Sequence, residues 1–165
     1  MIIVNKRGTL KYKRIIYRCS IGKNGLSNNK IEGDNCSPTG IFTLGKLYVR
    51  TDRIKNIKTK FKYVPIKENM AWSDDPDSPN YNKLIFTSKS HKEKLFRTDN
   101  IYDLVLVINY NIFPTIAYNG SAIFIHIAKK NFEPTNGCIA IKKSDFKEIL
   151  ITLKPSDKIK IHHDC

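Results

Sequence analysis

Cys138 lies in the stretch PTNGCIAI (134–141), directly after Asn136-Gly137, and His126 sits in SAIFIHIA (121–128), twelve positions earlier. A thiol is nucleophilic as its thiolate, and its pKa falls beside an imidazole or where backbone N–H groups converge. Asn and Gly both tolerate positive φ, so Asn136-Gly137 can turn tightly and aim successive N–H groups at one point. Those donors would also hold the oxyanion formed when Cys138 attacks an acyl carbon. Paired this way, cysteine and histidine are the nucleophile and base of acyl transfer. A second reading of the same two residues stays open. Cys138 can be a small buried hydrophobe, and His126 a core ring bonded to backbone.

Other candidates are weaker. His162, His163, Asp164 and Cys165 form HHDC at the C-terminus and carry zinc donors. Adjacent strand residues point to opposite faces, so a frayed terminus is the expectation, with no metal bound. The four cysteines are Cys19, Cys36, Cys138 and Cys165, with no C-x-x-C spacing, and free thiols are expected. Cys36, within EGDNCSPTG (32–40), reads as a small neutral loop residue or as one that approaches the site. His91, in SKSHKEK, reads as a surface residue. Trp72, the sole tryptophan, stands in AWSDDPDSPNYN (71–82) with Asp74, Asp75 and Tyr81. It reads as packing or as one wall of a cleft. No motif asks for a cofactor.

The elements that must position these residues are mostly strands. TLKYKRIIYRCSIG (9–22) is β-branched and aromatic and reads as a strand, followed by a turn-rich loop over 22–40. IFTLGKLYV (41–49) is a strand, and 65–83 is a long irregular segment with three prolines. YDLVLVINYN (102–111) and SAIFIHIA (121–128) read as buried strands. In the second, Ala122, Phe124 and His126 share one face and Ile123, Ile125 and Ile127 the other. Both faces are apolar, which predicts an interior strand. One helix is predicted after Ser144 as N-cap, with Phe146, Ile149, Leu150 and Leu153 on one face. Asp145 and Glu148 sit near its positive end and Pro155 stops it. DKIKIHH (157–163) alternates and closes the chain as a strand.

Composition sets the bounds. At 165 residues the chain suits a single domain, with a core large enough to need no disulfide. An apolar content of 41% with 27% charged residues excludes a disordered or membrane-embedded chain. Its longest apolar runs are far shorter than the ~20 residues of a membrane span. The N-terminus, MIIVNKRG, turns polar too soon for a secretory signal. The net charge of +14 is spread along the chain, not blocked, so it predicts affinity for polyanions without marking a specific nucleic-acid binder.

Taken together, EGDNCSPTGIFTLG (32–45), AWSDDPDSPNYN (71–82), IYDLVLVINYN (101–111) and GSAIFIHIA…PTNGCIAI (120–141) resemble the YkuD-type L,D-transpeptidase catalytic domain. The likeness runs from about residue 15 to the C-terminus and points to a compact branch consisting of little else. It implies a mainly β fold, a sandwich or barrel of mixed strands, with one helix near the C-terminus and short helical turns, as one domain over 1–165. It also implies that Cys138 is the nucleophile and His126 the base, with the ring oriented by the Ile127 carbonyl. Gly137, Cys138 and neighbouring Asn136 match the oxyanion segment. Trp72, Asp74, Tyr81, Ser121 and Thr135 are the expected substrate-binding residues. The family's commonest motif has a longer gap after its His and a second His where Asn136 stands.

Such enzymes act on peptidoglycan stem peptides. A thioester forms at the residue preceding a terminal D-Ala, and an amine acceptor resolves it. The resemblance therefore predicts a cysteine-dependent L,D-transpeptidase without cofactor, monomeric, taking peptidoglycan stems or muropeptides as partners. The alternatives are an L,D-carboxypeptidase or amidase on the same site and a non-catalytic polyanion-binding module. The cell envelope or periplasm is the implied location. With no visible signal peptide, a cytoplasmic role on muropeptides is the alternative.

Overall fold

The computed structural model describes residues 1–89 and 93–164, so His91 and Cys165 lie outside the described residues. The first strands are β1 (Ile2–Asn5), β2 (Thr9–Tyr12) and β3 (Ile15–Ser20). The predicted single strand over 9–22 is therefore a hairpin. Its arms pair antiparallel through Tyr12 and Ile15, and Lys13 turns the chain at a φ of 56°. Both arms have the same apolar-basic alternation, and the Lys-Arg tip carries no turn residue that would mark the bend.

The loop that follows contains a short parallel pair, β4 (Leu26–Ser27) and β5 (Ser37–Pro38). Next come β6 (Gly40–Val49), β7 (Tyr63–Pro65), β8 (Met70–Trp72), β9 (Leu84–Phe86), β10 (Leu104–Ile108), β11 (Phe124–Ile127) and β12 (Ile139–Ile141). A 3-10 turn occupies Lys130–Phe132. Helix α1 (Lys143–Thr152) and β13 (Lys158–His162) end the chain. The 65–83 segment is thus less irregular than its prolines suggest, because β8 lies within it and pairs with β9.

The strands run in the order β10-β11-β12-β3-β2-β1-β13-β6, and β6 pairs again with β10 to close the ring. One long strand makes that closure. Gly40–Thr43 of β6 pair with β13, while Leu44–Val49 pair with β10. Pairings are mixed: β1 with β13 and β11 with β12 are parallel, the others in the ring antiparallel.

Alternate residues fill the ring, as the pleat requires. Ile2 and Val4, Leu10, Leu104 and Leu106, Ile125 and Ile127, and Ile159 and Ile161 form one buried cluster. Helix α1 adds Phe146, Ile149 and Leu150, with Leu153 just past its end. Each is nearly inaccessible, and burial of that order stabilises by roughly 1.5–3 kcal/mol per side chain. The helix starts two residues earlier than predicted. Lys142 takes the N-cap position without a side-chain cap, and Ser144 lies inside the first turn, bonded to Asp145 Oδ1 at 3.3 Å.

A second buried cluster lies on the opposite face of β6, β10 and β11. Met70, Trp72, Leu95 and Tyr102 cover Tyr48, Val105, Val107 and Phe124 there, and Cys138 joins them. The covering segment is fastened by arginines. Arg50 donates to the Arg97 carbonyl at 2.7 Å, and Arg53 pairs with Asp103 at 2.9 Å. Among the described residues no helix is long and apolar enough to cross a membrane.

Candidate active site

Strands β11 and β12 lie side by side with His126 in register with Ala140. Cys138 immediately precedes β12, so it and His126 emerge on the same, outer face. Both line one cleft. Alternation along β11 sends Ile123, Ile125 and Ile127 into the ring and leaves Ala122 and Phe124 with Cys138 outside.

His126 Nδ1 stands 2.9 Å from the Ile127 carbonyl oxygen. A carbonyl only accepts, so Nδ1 must carry the proton and Nε2 is the basic nitrogen. The Tyr102 ring packs edge-on against the imidazole, with centroids 5.2 Å apart. Burial lowers the His126 pKa to about 4, opposed by the Ile127 hydrogen bond and reinforced by Arg97. Burial likewise pushes the Cys138 thiol up to about 12, and Glu93 adds to that. The thiol donates to the Ala122 carbonyl at 3.1 Å, and the Phe124 N–H points at its sulfur from 3.4 Å. Both groups are therefore neutral, a thiol and an imidazole lining the same cleft.

The turn before Cys138 is held on several sides. Thr135 Oγ1 donates to the Cys138 carbonyl at 2.6 Å and accepts from the Gly137 N–H at 3.1 Å. The Thr135 N–H donates to the Ile21 carbonyl, which ties the turn to the end of β3. Gly137 has a φ of 141°, and a Cβ there would come within 2.8 Å of the Cys36 carbonyl oxygen. Only glycine fits that position. The Cys36 backbone thus packs against the turn, while its sulfur faces the Asn24 and Asp34 carbonyls at 3.6 Å.

Of the expected substrate-binding residues, Asp74, Ser121 and Thr135 line the cleft, as does Asn136. Trp72 does not. It is buried in the outer core, edge-on to Phe124 at 5.1 Å, because an indole beside other aromatics buries more apolar area than it could at a cleft rim. Tyr81 is buried too. Its hydroxyl donates to Glu32 Oε1 at 3.0 Å and accepts from the Gly120 N–H at 3.0 Å. Burial and the Glu32 charge push that hydroxyl's pKa well up. Ser121 also donates to Glu32, so that carboxylate organises the edge of the cleft.

Asn82 escaped the sequence reading. Its Oδ1 accepts from Trp72 Nε1 at 2.9 Å and from the Ala122 N–H at 3.0 Å. Its Nδ2 donates to the Tyr110 and Asn111 carbonyls. Ala122, at a φ of 54°, is in a conformation costly for a non-glycine residue, and Asn82 fixes it there. The Ala122 carbonyl that holds the thiol is therefore set from forty residues away. The opposite wall was also missed. Tyr102 donates to Glu93 Oε2 at 2.9 Å, and Arg97 pairs bidentately with Asp99.

Among the described residues no cluster of His, Cys, Asp or Glu is placed to hold a metal ion. His162 Nδ1 lies 3.4 Å from Asp164, while His163 Nε2 turns to Asn28 at 3.2 Å.

A family model for the L,D-transpeptidase catalytic domain, YkuD, matches residues 1–161. Among solved structures, Bd1075 of Bdellovibrio bacteriovorus aligns over 99% of this chain and 48% of its own, at 18% identity and a TM-score of 0.50. An L,D-transpeptidase from Mycobacterium smegmatis aligns over 98% and 57%, at 12% identity and a TM-score of 0.44. The chain spans about half the length of these structures, and the likeness to the first is one of fold. No curated protein matches the chain.

Proposed function

The chain belongs to the YkuD family of L,D-transpeptidase catalytic domains, and from that premise we propose that it is a cysteine-dependent L,D-transpeptidase acting on peptidoglycan stem peptides at the cell envelope. The observation that carries this reading is the neutral His126, its Nδ1 committed to the Ile127 carbonyl, in one cleft with Cys138.

The chemistry then runs in two halves. His126 Nε2 takes the Cys138 proton as the sulfur attacks the carbonyl of the residue preceding a terminal D-Ala. The resulting oxyanion lies against the Asn136–Cys138 turn. The Gly137 N–H already donates to Thr135 Oγ1, so the Cys138 N–H is the better-placed backbone donor. The C–N bond breaks, the imidazolium gives its proton to the departing D-Ala amine, and a thioester remains. An acceptor amine attacks the thioester, His126 takes its proton, and the thiol is restored. No carboxylate is needed behind the histidine, because the carbonyl holds the tautomer. The net charge of +14 favours encounter with carboxylate-rich stems.

Intact-mass measurement after incubation with a carbapenem, an acyl donor for this family, tests the reading. A stoichiometric adduct on the wild type and none on Cys138→Ala is expected. No adduct on the wild type, or one that persists in the variant, overturns it. Product analysis with and without an amine acceptor then separates transfer from hydrolysis.

A further inference from the structure

Lys30 is a buried cation to which the mechanism above gives no role. Its side chain is 3% exposed and its ammonium pairs with Asp34 Oδ1 at 2.7 Å. Taking an ammonium out of water is costly even when it is paired. Asp34 is itself fixed, since its carboxylate accepts the Ile31 and Cys36 N–H groups at 2.9 Å each. Burial opposes the Asp34 charge, yet the hydrogen bond from Lys30 and those two N–H groups hold its pKa below the usual range.

The path of the lysine stem is specific. A Cβ on Gly120 would come within 2.8 Å of Lys30 Cε and 3.2 Å of Cδ and Cγ. A Cβ on Gly137 would stand 3.5 Å from Lys30 Nζ. Both glycines have positive φ, 105° and 141°. Gly120 leads into Ser121 and Ala122, whose carbonyl holds the thiol, and Gly137 leads into Cys138. Lys30 thus lies between the two chain segments that meet at the sulfur, behind the cleft wall and not among its lining residues.

We propose that Lys30 is a positioning residue for Cys138, and that its ammonium, set against Gly137 next in the chain to Cys138, stabilises the negative charge that develops on the sulfur when the thiol is deprotonated. The groups facing the sulfur support this. Glu93 and Tyr102 approach from the covering segment, and His126, on β11, is neutral. Glu93 disfavours the thiolate, while the Phe124 N–H and Lys30 favour it. A positive charge at roughly 4–6 Å shifts an ionisation equilibrium by about tenfold or more, and one farther off or shared with a carboxylate shifts it less.

The proposal rests on Cys138 being the reactive group, and its test needs no peptidoglycan substrate. The rate of iodoacetamide alkylation at Cys138, located by peptide mass mapping, is measured from pH 7 to 10. Lys30→Met, which keeps the stem and removes the charge, is expected to slow it about threefold or more at every pH. Asp34→Asn, which loosens the pair and leaves the cation unshared, is expected to lower the melting temperature and leave the rate equal to or faster than that of the wild type. Equal rates in wild type and Lys30→Met, or an equal slowing in Asp34→Asn, reduce the pair to a structural staple and overturn the proposal. Should Lys30→Met fail to fold, Lys30→Arg is compared with Lys30→Gln, and matching rates in those two overturn it. A wild type that forms no carbapenem adduct yet shows the Lys30 effect refutes the transpeptidase reading and leaves this one standing.

Discussion

At the scale of single residues, the candidate site pairs two residues twelve positions apart and is supported from farther along the chain. Cys138 and His126 were legible because both stand in distinctive local sequence, an Asn-Gly turn and an apolar strand. Asn82, Glu32 and Lys30 were not, since their partners arrive from elsewhere in the chain and nothing beside them in sequence announces the contact. Trp72 was ambiguous for the same reason, as its neighbours Phe124 and Tyr48 are distant. Asn82→Ala should expose the dependence. It leaves the Trp72 and Ala122 N–H groups without their acceptor and two carbonyls without their donor, at about 2–4 kcal/mol. Urea denaturation should show that loss. Carbapenem acylation should slow in the same variant, because the Ala122 carbonyl no longer holds the thiol in place.

Among the elements, apolar runs and periodicity together carried most of the fold. The strands now called β6, β10, β11 and β13 and the helix α1 all follow from β-rich apolar runs, alternation or a 3.6-residue stripe. The hairpin of β2 and β3 did not, because a lysine in the left-handed region leaves no trace in a propensity reading. The turn before Cys138 sits between these cases. Its glycine was readable, but its dependence on the Cys36 backbone came only from the fold. Gly137→Ala drives a Cβ against that carbonyl. The displaced turn should cost roughly a hundredfold or more in acylation rate, measured by time-resolved intact mass, while the ring of strands persists.

For the whole molecule, ring closure was hidden from the sequence, because one continuous run, β6, serves two partners in succession. The buried titratable groups give the assembled molecule a definite pH profile. His126 has its pKa lowered from 6.5 to about 4, so between those values the unfolded chain takes up a proton that the native state refuses. Stability therefore falls as pH drops through that window, by up to a few kcal/mol. In the alkaline range the sign reverses. Cys19 and Cys138 both rise from 9.0 to about 12, so the unfolded chain loses those protons first and stability falls as pH climbs above 9. Urea midpoints from pH 4 to 10.5 check both limbs, and His126→Asn should flatten the acid one.

The hydrogen bond from the Cys138 thiol to the Ala122 carbonyl has a consequence for life in an oxidising environment. Peroxide and disulfides react with thiolates and largely ignore protonated sulfur. On the function proposed above, Cys138 would be stored as a neutral thiol and armed only when an acyl donor settles beside His126. The Ala122 carbonyl that would keep such a catalyst idle between turnovers would then also protect it from irreversible over-oxidation.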